Sequence, residues 1–309
     1  MSYVILLTAY KRADAIRRIL ESIPQHIDLP IMISIDAPKR EVDKPKVAMV
    51  VGVCEEFQKE HPARVTLRQL SYNHGSVLGI PSAISWALES YEGVIVIEDD
   101  CMPHPSFFAF CVELLDRYKF DQRIMMISGN NFLPTEMAKK WPASYFFSRQ
   151  TQTWGWATWR RAWKCYDHDL TMLDSKEYQL VANGMYWGSG IDRHWNKLAQ
   201  KQKANANSTS WDSRWMTTMA AHAGLAIVPQ VNLVRNFGFD ADSLHTSRPY
   251  SCFIKPAKRM QMPLIHPQMM TPWLEADEWW FNYNISKNLY SRLRRFCLRT
   301  NPLNITDDE

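Results

Sequence analysis

The sequence lacks the marks of a membrane-spanning or exported protein. None of its apolar runs approaches the ~18 residues that a membrane-spanning helix needs. The N-terminal stretch MSYVILLTAY has neither the basic start nor the long apolar core of a signal peptide. The six cysteines form no CxxC pair and no other metal-ligand spacing (Cys54, Cys101, Cys111, Cys165, Cys252 and Cys297). We therefore expect reduced cysteines and a cytoplasmic protein.

The sequence also lacks the basic runs with interleaved aromatics that are typical of nucleic-acid-binding modules, so we expect no nucleic-acid partner. The net charge is only +4, which permits an anionic ligand such as a nucleotide without requiring one. Tryptophan, by contrast, is abundant, with 13 residues. Because indole rings are common where flat ligand faces are stacked, the abundance favours a binding protein or an enzyme.

Short apolar runs alternate with helical patterns through the first part of the chain. The pattern predicts strands over 3–8, 30–35, 64–70 and 93–97 and helices over 13–23, 46–61 and 80–90. Such alternation predicts an α/β fold with a mainly parallel sheet flanked by helices.

The pattern changes after residue 123, where strands and helices are interrupted by the aromatic stretch SYFFSRQTQTWGWATWRRAW. No low-complexity linker separates the two parts, so we expect them to pack together. We divide the chain into a first half over 1–125, a fused second half over 126–270 and a helical tail over 271–309.

Polar side chains follow all four predicted strands of the first half, and in open α/β sheets ligands bind at this edge. The stretch GVIVIEDD places three acids, Glu98, Asp99 and Asp100, directly after a buried strand. Such acids can be solvated loop residues or the N-cap of the next helix. Three adjacent carboxylates repel one another, however, and no Lys or Arg is near in sequence, so a divalent cation is the natural counter-charge.

The segments TAYKR, ISIDAP and VIVIEDD together resemble the first half of GT-A fold nucleotide-sugar glycosyltransferases. The EDD variant of the DxD motif, followed by Pro and SFF, is similar to N-acetylglucosaminyltransferase I. The stretches EDDCMPHPSFFAFC, ISGNNF and WGWATWRRAW resemble bacterial polysaccharide glycosyltransferases. The resemblance extends to about residue 270.

The resemblance implies a role for each residue at the strand ends. Asp100 would coordinate Mn²⁺ (or Mg²⁺) that bridges the donor diphosphate, and Glu98 and Asp99 would face the ribose or the donor sugar. Asp36 would accept a hydrogen bond from a uracil-like base. The remaining donor-binding residues would be Thr8, Ala9, Arg12 and Asn73. From the residues alone, Asp36 is equally well a turn acid and Arg12 an exposed helix start. The turn Asn73–Gly75 could present backbone N–H groups to an anion.

An inverting sugar transfer needs a carboxylate to take the acceptor proton. The resembled families place an acid after a Trp at the start of a helix, and the resemblance therefore makes Asp212 in STSWDSRW our candidate. The alternative is an ordinary first-turn Asp of a helix, and Asp192 and Asp167 are weaker candidates. Trp154, Gly155, Trp156 and Trp211 are candidate acceptor or sugar contacts. Because aromatic residues usually pack in cores, we expect one ring to line the site and the others to pack.

Two predictions concern the end of the chain. His245 would be a second metal ligand, as in many GT-A enzymes, although a lone His is more often structural. The segment 284–299 predicts a basic amphipathic helix. It could make a peripheral contact with the inner face of a membrane, near a lipid-linked acceptor, or it could cover an edge of the fold.

The sequence therefore predicts a metal-dependent, inverting glycosyltransferase that uses a UDP-sugar donor and a glycan or lipid-linked acceptor in bacterial surface polysaccharide synthesis. One alternative is a sugar-nucleotide-binding protein without turnover. The other is a nucleotidyltransferase, which would normally carry a glycine-rich loop with a Lys after the first strand, whereas TAYKRADA has no glycine.

Overall fold

A computed structural model describes residues 2–182, 184–185, 189–205, 211–238 and 255–284. The strands are β1 Tyr3–Ala9, β2 Ile31–Ile35, β3 Val65–Gln69, β4 Gly93–Glu98, β5 Cys101–Pro103, β6 Ile124–Ser128, β7 Tyr145–Ser148, β8 Trp156–Trp159, β9 Leu225–Pro229 and β10 Val234–Asn236. The helices are α1 Ala13–Ser22, α2 Lys44–Glu60, α3 Gly75–Ser90, α4 Ser106–Arg117, α5 Thr135–Ala138, α6 Arg160–Trp163, α7 Lys176–Val181, α8 Ser189–Ala204, α9 Asp212–Ala221 and α10 Leu274–Asn284.

The main sheet has eight strands in the order β3-β2-β1-β4-β8-β6-β9-β7. The four strands of the first half pair in parallel, so their carboxyl ends lie at one edge. The α/β prediction is confirmed, and the predicted strands of the first half agree with the observed ones to within one residue at each end.

Strand β8 enters this sheet antiparallel and lies between β4 and β6. One sheet therefore contains strands from both predicted halves, and the predicted boundary at 125/126 falls inside β6. The division into halves stays a prediction. A separate two-stranded ribbon pairs β5 with β10, directly after the three acids.

Helix α1 illustrates how the core forms. Ile16, Ile19 and Leu20 recur on one face and are buried against the sheet, while Arg17 and Arg18 face solvent. Burying each of these aliphatic side chains contributes about 1.5–3 kcal/mol. Helix α1 also packs against β5, the strand that directly follows the three acids, so α1 lies next to the edge of the sheet where the acids lie.

A group of aromatic side chains packs on the other face of the sheet. Trp156 of β8 stacks on Trp211, with ring centroids 5.5 Å apart, and also contacts Trp163 and Trp215. All four rings are buried. The aromatic stretch that marked the second half in the sequence is therefore largely core.

Among the described residues, no helix is long and apolar enough to cross a bilayer. The four cysteines in these ranges form no disulfide with one another (Cys54, Cys101, Cys111 and Cys165). The amphipathic helix predicted over 284–299 lies outside the described residues apart from Asn284, which ends α10.

Candidate active site

The three acids lie at the carboxyl end of β4, beside the end of β1. Asp99 is buried, and one carboxylate oxygen accepts a hydrogen bond from the backbone N–H of Tyr10 at 3.0 Å. The other accepts from Arg12 Nη1 at 2.6 Å. No Lys or Arg is near the three acids in sequence, but the fold gives Asp99 a cationic partner. Arg12 is distant in sequence, but the parallel pairing of β1 with β4 brings it there.

Glu98 and Asp100 flank Asp99 in the cluster. Burial raises the pKa of Glu98 well above its usual range, and the negative charges of Asp100, Asp212 and Asp99 raise it further. Burial also raises the pKa of Asp99, while the guanidinium of Arg12 opposes that rise. Asp212 is therefore close enough to act electrostatically on Glu98, although 114 positions separate them in the chain.

The ribbon β5–β10 passes directly over Asp100. The backbone N–H of Phe237 donates to the Asp100 carbonyl oxygen at 2.7 Å. A Cβ on Gly238 would lie 2.5 Å from Asp100 Oδ2, so only glycine fits there without a shift. One Asp100 oxygen also accepts a weak hydrogen bond from the thiol of Cys101 at 3.2 Å. These contacts position the Asp100 carboxylate, which remains partly exposed.

The donor atoms of this cluster suit a hard divalent cation. Carboxylate oxygens are the ligands that Mg²⁺ and Mn²⁺ prefer, and the mutual repulsion of Glu98 and Asp100 would be relieved by a cation. Among the described residues, no group of three or more His, Cys, Asp or Glu side chains could hold a metal ion by itself. A cation held here would need further ligands, such as diphosphate oxygens. His245 lies outside the described residues.

Asp36 holds the turn that precedes α3. Its carboxylate accepts from the backbone N–H groups of Ala37, His74 and Gly75 at 2.8–2.9 Å and from Asn73 Nδ2 at 3.0 Å. The sequence suggested that backbone N–H groups of the turn Asn73–Gly75 could bind a ligand anion. In the structure, the N–H groups of His74 and Gly75 donate to the Asp36 carboxylate instead. Both Asp36 and Asn73 lie at the predicted edge, and their contact with a base stays a prediction.

Helix α3 begins at Gly75, five residues before its predicted start. The sequence predicts a start at Ile80, because the apolar face of Ile84, Ala87 and Leu88 follows the small-residue turn that ends at Gly79. In the structure, Asp36 satisfies N–H groups at the helix start, which adds a turn before Pro81. Gly75 has φ of +62°, a conformation that glycine adopts without strain.

Asp212 is the first residue of α9, as predicted, and its side chain is partly exposed. Its neighbours Trp211 and Trp215 are buried in the aromatic group, so α9 is held firmly against the sheet. Of the weaker candidates, Asp192 is buried. Asp167 caps the following turn, where it accepts from Met172 N–H and the Thr171 hydroxyl at 3.0 Å.

The candidate acceptor residues differ in exposure. Trp156 and Trp211 are buried, whereas Trp154 is partly exposed. The Trp154 ring packs edge-to-face with the Phe132 ring, and the two ring centroids lie 4.8 Å apart. Gly155 has φ of +60°, and a Cβ there would lie 2.7 Å from Val234. The positive φ and the close approach of Val234 therefore explain why position 155 is a glycine, without a ligand contact. Of the rings considered, Trp154 has the surface that a sugar could reach.

Comparisons with known proteins identify no family by sequence. No protein-family model matches the chain, and no curated protein sequence matches it. Among solved structures, residues 1–349 of S. aureus TarS are 11% identical with a TM-score of 0.44, covering 74% of this chain and 58% of that one. A structure of GalNAc-T7 with UDP, GalNAc and Mn²⁺ is 10% identical with a TM-score of 0.45, covering 74% of this chain and 42% of that one.

The chain therefore spans less than two thirds of the length of either structure. The likeness is one of fold, and at this degree of similarity it assigns no substrate and no residue role to this chain.

Proposed function

We propose that the protein is a glycosyltransferase that moves a sugar from a nucleoside-diphosphate donor, UDP in the first instance, to a hydroxyl of a glycan acceptor. One observation carries the proposal: Glu98, the first of the three acids at the end of β4, lies within electrostatic reach of Asp212 at the start of α9. A transferase needs such a pair of functions, a cation site for the departing diphosphate and a base for the incoming hydroxyl.

The four carboxylates have different tasks in this proposal. Asp100 is the cation ligand, Mn²⁺ or Mg²⁺ being the ion, and its contacts with the β5–β10 ribbon fix its direction. The cation supplies charge that stabilises the leaving diphosphate. Asp99 is held by Arg12 and Tyr10 and supports the donor side of the site. Glu98, whose pKa is raised by burial and by its acidic neighbours, faces a sugar or ribose oxygen of the donor.

The donor lies along the carboxyl ends of β1, β2 and β4. Thr8, Ala9 and Arg12 line one side, and Asp36 and Asn73 line the other, where a base would bind. Parallel pairing of β1 with β2 and β4 supports this placement, because it gathers these residues at one edge. His245 as a second cation ligand stays a prediction from the sequence resemblance.

The acceptor lies on the side of Asp212 and Trp154. Asp212 takes the proton of the acceptor hydroxyl while that oxygen bonds to the anomeric carbon and the nucleoside diphosphate leaves with the electrons of the broken bond; this single displacement inverts the configuration. The exposed part of the Trp154 ring stacks on a sugar face. A role in bacterial surface polysaccharide synthesis, with a lipid-linked acceptor at a membrane, is the biological setting that we propose for this reaction.

Calorimetric titration with UDP, GDP and their sugars, with and without Mn²⁺, tests the donor side. We expect a UDP ligand to bind more tightly with Mn²⁺, and the Mn²⁺ effect to disappear in Asp100→Asn. Asp28→Asn is the matched control, because Asp28 is exposed and far from the β4 end in sequence.

Release of UDP from a UDP-sugar, measured in the presence of glycan acceptors, tests turnover. Binding without UDP release would favour a sugar-nucleotide-binding protein. An unchanged Mn²⁺ effect in Asp100→Asn would remove the cation from that residue.

A further inference from the structure

Two arginines and one aromatic ring form a cluster outside the residues assigned so far. The guanidinium carbon of Arg18 lies 5.5 Å from the centre of the Phe237 ring, and that of Arg235 lies 4.9 Å from it. Arg18 comes from α1 and Arg235 from β10, so tertiary structure alone brings the two together. We call Arg18 and Arg235 the arginine pair.

The arginine pair lies next to the candidate cation site. Phe237 donates its backbone N–H to the Asp100 carbonyl oxygen, and a Cβ on Gly238 would meet the Asp100 carboxylate at 2.5 Å. Helix α1 packs against β5, the strand that follows Asp100 and pairs with β10. The two guanidinium groups are thus attached to the elements that enclose Asp100.

The charges of the arginine pair are not neutralised by ion pairs within the described part of the chain. Arg18 and Arg235 are both exposed, and neither forms a salt bridge with a carboxylate there; Arg18 Nε donates only to the Asp14 carbonyl oxygen at 3.3 Å. By contrast Arg17, one residue away on α1, pairs with Glu56 at 3.3 Å.

Cation–π contacts hold two like charges at the surface, each within 5.5 Å of the centre of the Phe237 ring. Because the two groups repel one another, this arrangement favours an anion that contacts both. Planar guanidinium groups donate paired hydrogen bonds that match phosphate oxygens.

We propose that the arginine pair binds a phosphate or diphosphate group at the rim of the site beside Asp100. The group belongs either to the nucleoside diphosphate of the donor or to a phosphate-bearing acceptor such as a lipid-linked glycan. That choice rests on the proposed function, whereas the binding of phosphate does not.

The test is a titration of the full chain with inorganic pyrophosphate in EDTA, so that no cation contributes. We expect pyrophosphate to bind the wild type, and Arg18→Gln with Arg235→Gln to weaken it by about a hundred-fold, roughly ten-fold for each lost charge-assisted contact. Phe237→Leu keeps both charges but removes the ring, so we expect a smaller loss of pyrophosphate affinity than in the double arginine variant.

Arg17→Gln is the matched control, because it removes the same charge from the same helix. Equal losses in Arg17→Gln and Arg18→Gln would mean a general charge effect and would overturn the proposal, as would wild-type affinity in the double variant. Thermal unfolding of each variant checks that the fold is retained.

A competition arm identifies the source of the phosphate. Displacement of pyrophosphate by saturating UDP assigns the arginine pair to the donor, and persistence of pyrophosphate binding assigns it to the acceptor. If no UDP-sugar is turned over while pyrophosphate still depends on Arg18 and Arg235, the proposed function fails and the phosphate site remains.

Discussion

At the scale of single residues, burial separates the side chains that hold the site from those that can meet a ligand. Asp99 is buried and both its oxygens are used by Tyr10 and Arg12, whereas Asp100 and Asp212 are partly exposed. The adjacent acids Asp99 and Asp100 therefore differ in what they can contact, because their surroundings differ.

Asp212→Asn tests the proposed base. Asparagine keeps the size and the helix position but cannot accept the proton, so we expect transfer to fall by at least ~100-fold. Donor affinity, measured by calorimetry, should stay unchanged because Asp212 lies on the acceptor side.

Asp167→Asn serves as the comparison for this variant. Its oxygens cap the turn at Thr171 and Met172, so we expect a loss of stability while transfer continues. Wild-type turnover in Asp212→Asn, or loss of turnover only in Asp167→Asn, would move the base elsewhere.

Gly238→Ala tests the contact of the ribbon with Asp100. The added Cβ would meet Asp100 Oδ2 at 2.5 Å, so either the carboxylate or the ribbon must move. We expect Mn²⁺-dependent UDP affinity to fall by about ten-fold, or about 1.4 kcal/mol, as measured by titration.

Gly52→Ala is the control for a glycine substitution, since a Cβ at Gly52 in α2 would meet nothing within 4 Å. That variant should stabilise α2 by about 0.5–1 kcal/mol and leave UDP affinity as it is. Equal Mn²⁺-dependent UDP affinities in Gly238→Ala and Gly52→Ala would show that Gly238 does not constrain Asp100.

At the scale of elements, α10 is attached to the sheet through a buried carboxyl group. Asp277 accepts from the Ser148 hydroxyl at 2.5 Å and from the Arg149 N–H at 3.1 Å. Burial raises its pKa from 3.8 to about 7, and the charge of Glu278 adds to the rise, while the hydrogen bonds from Ser148 and Arg149 and the charge of Arg149 oppose it.

A raised carboxyl pKa means that the folded state favours the neutral form. The contribution of Asp277 to stability is therefore largest below pH 4 and is lost progressively as the pH rises toward 7. In Asp277→Asn, the amide can accept from Arg149 and donate to Ser148, whose hydroxyl can turn to the Gln150 carbonyl oxygen.

We therefore expect Asp277→Asn to gain stability over the wild type as the pH rises from 5 to 8, by on the order of 2 kcal/mol. Urea unfolding at several pH values measures this difference. Glu275→Gln, an exposed acid on the same helix, should show no such trend. A pH-independent difference for Asp277→Asn would exclude a raised pKa at this carboxyl.

Helix α3 shows why element boundaries are harder to predict than elements. Its apolar face was readable because Ile84, Ala87 and Leu88 recur at helical spacing. Its start could not be predicted from the local sequence. The carboxylate that accepts from the first N–H groups belongs to Asp36, which precedes α2 and β3 in the chain.

At the scale of the whole molecule, one sheet joins both predicted halves. Strand β8 pairs with β4 on one side and β6 on the other, so separating the halves would leave an unpaired edge on each. We expect a single cooperative unfolding transition by calorimetry, and no stable fold for a fragment that ends at residue 125. Two separate transitions, or a folded fragment, would support independent halves.

The sequence by itself determined the α/β class, the strands of the first half and the edge at which polar side chains gather. It could do so because apolar periodicity is visible within a short stretch of sequence, and because ligands bind at the carboxyl ends of the strands in open α/β sheets generally. It also singled out the acids at the β4 end and Asp212 as candidates.

Only the tertiary structure decided which groups meet. It paired Arg12 with Asp99, placed Gly238 against Asp100 and brought Arg18 and Arg235 to one ring. It also buried most of the tryptophans that the sequence offered as ligand contacts. Such contacts join residues far apart in the chain, and their energies depend on distance and burial, which no local pattern encodes.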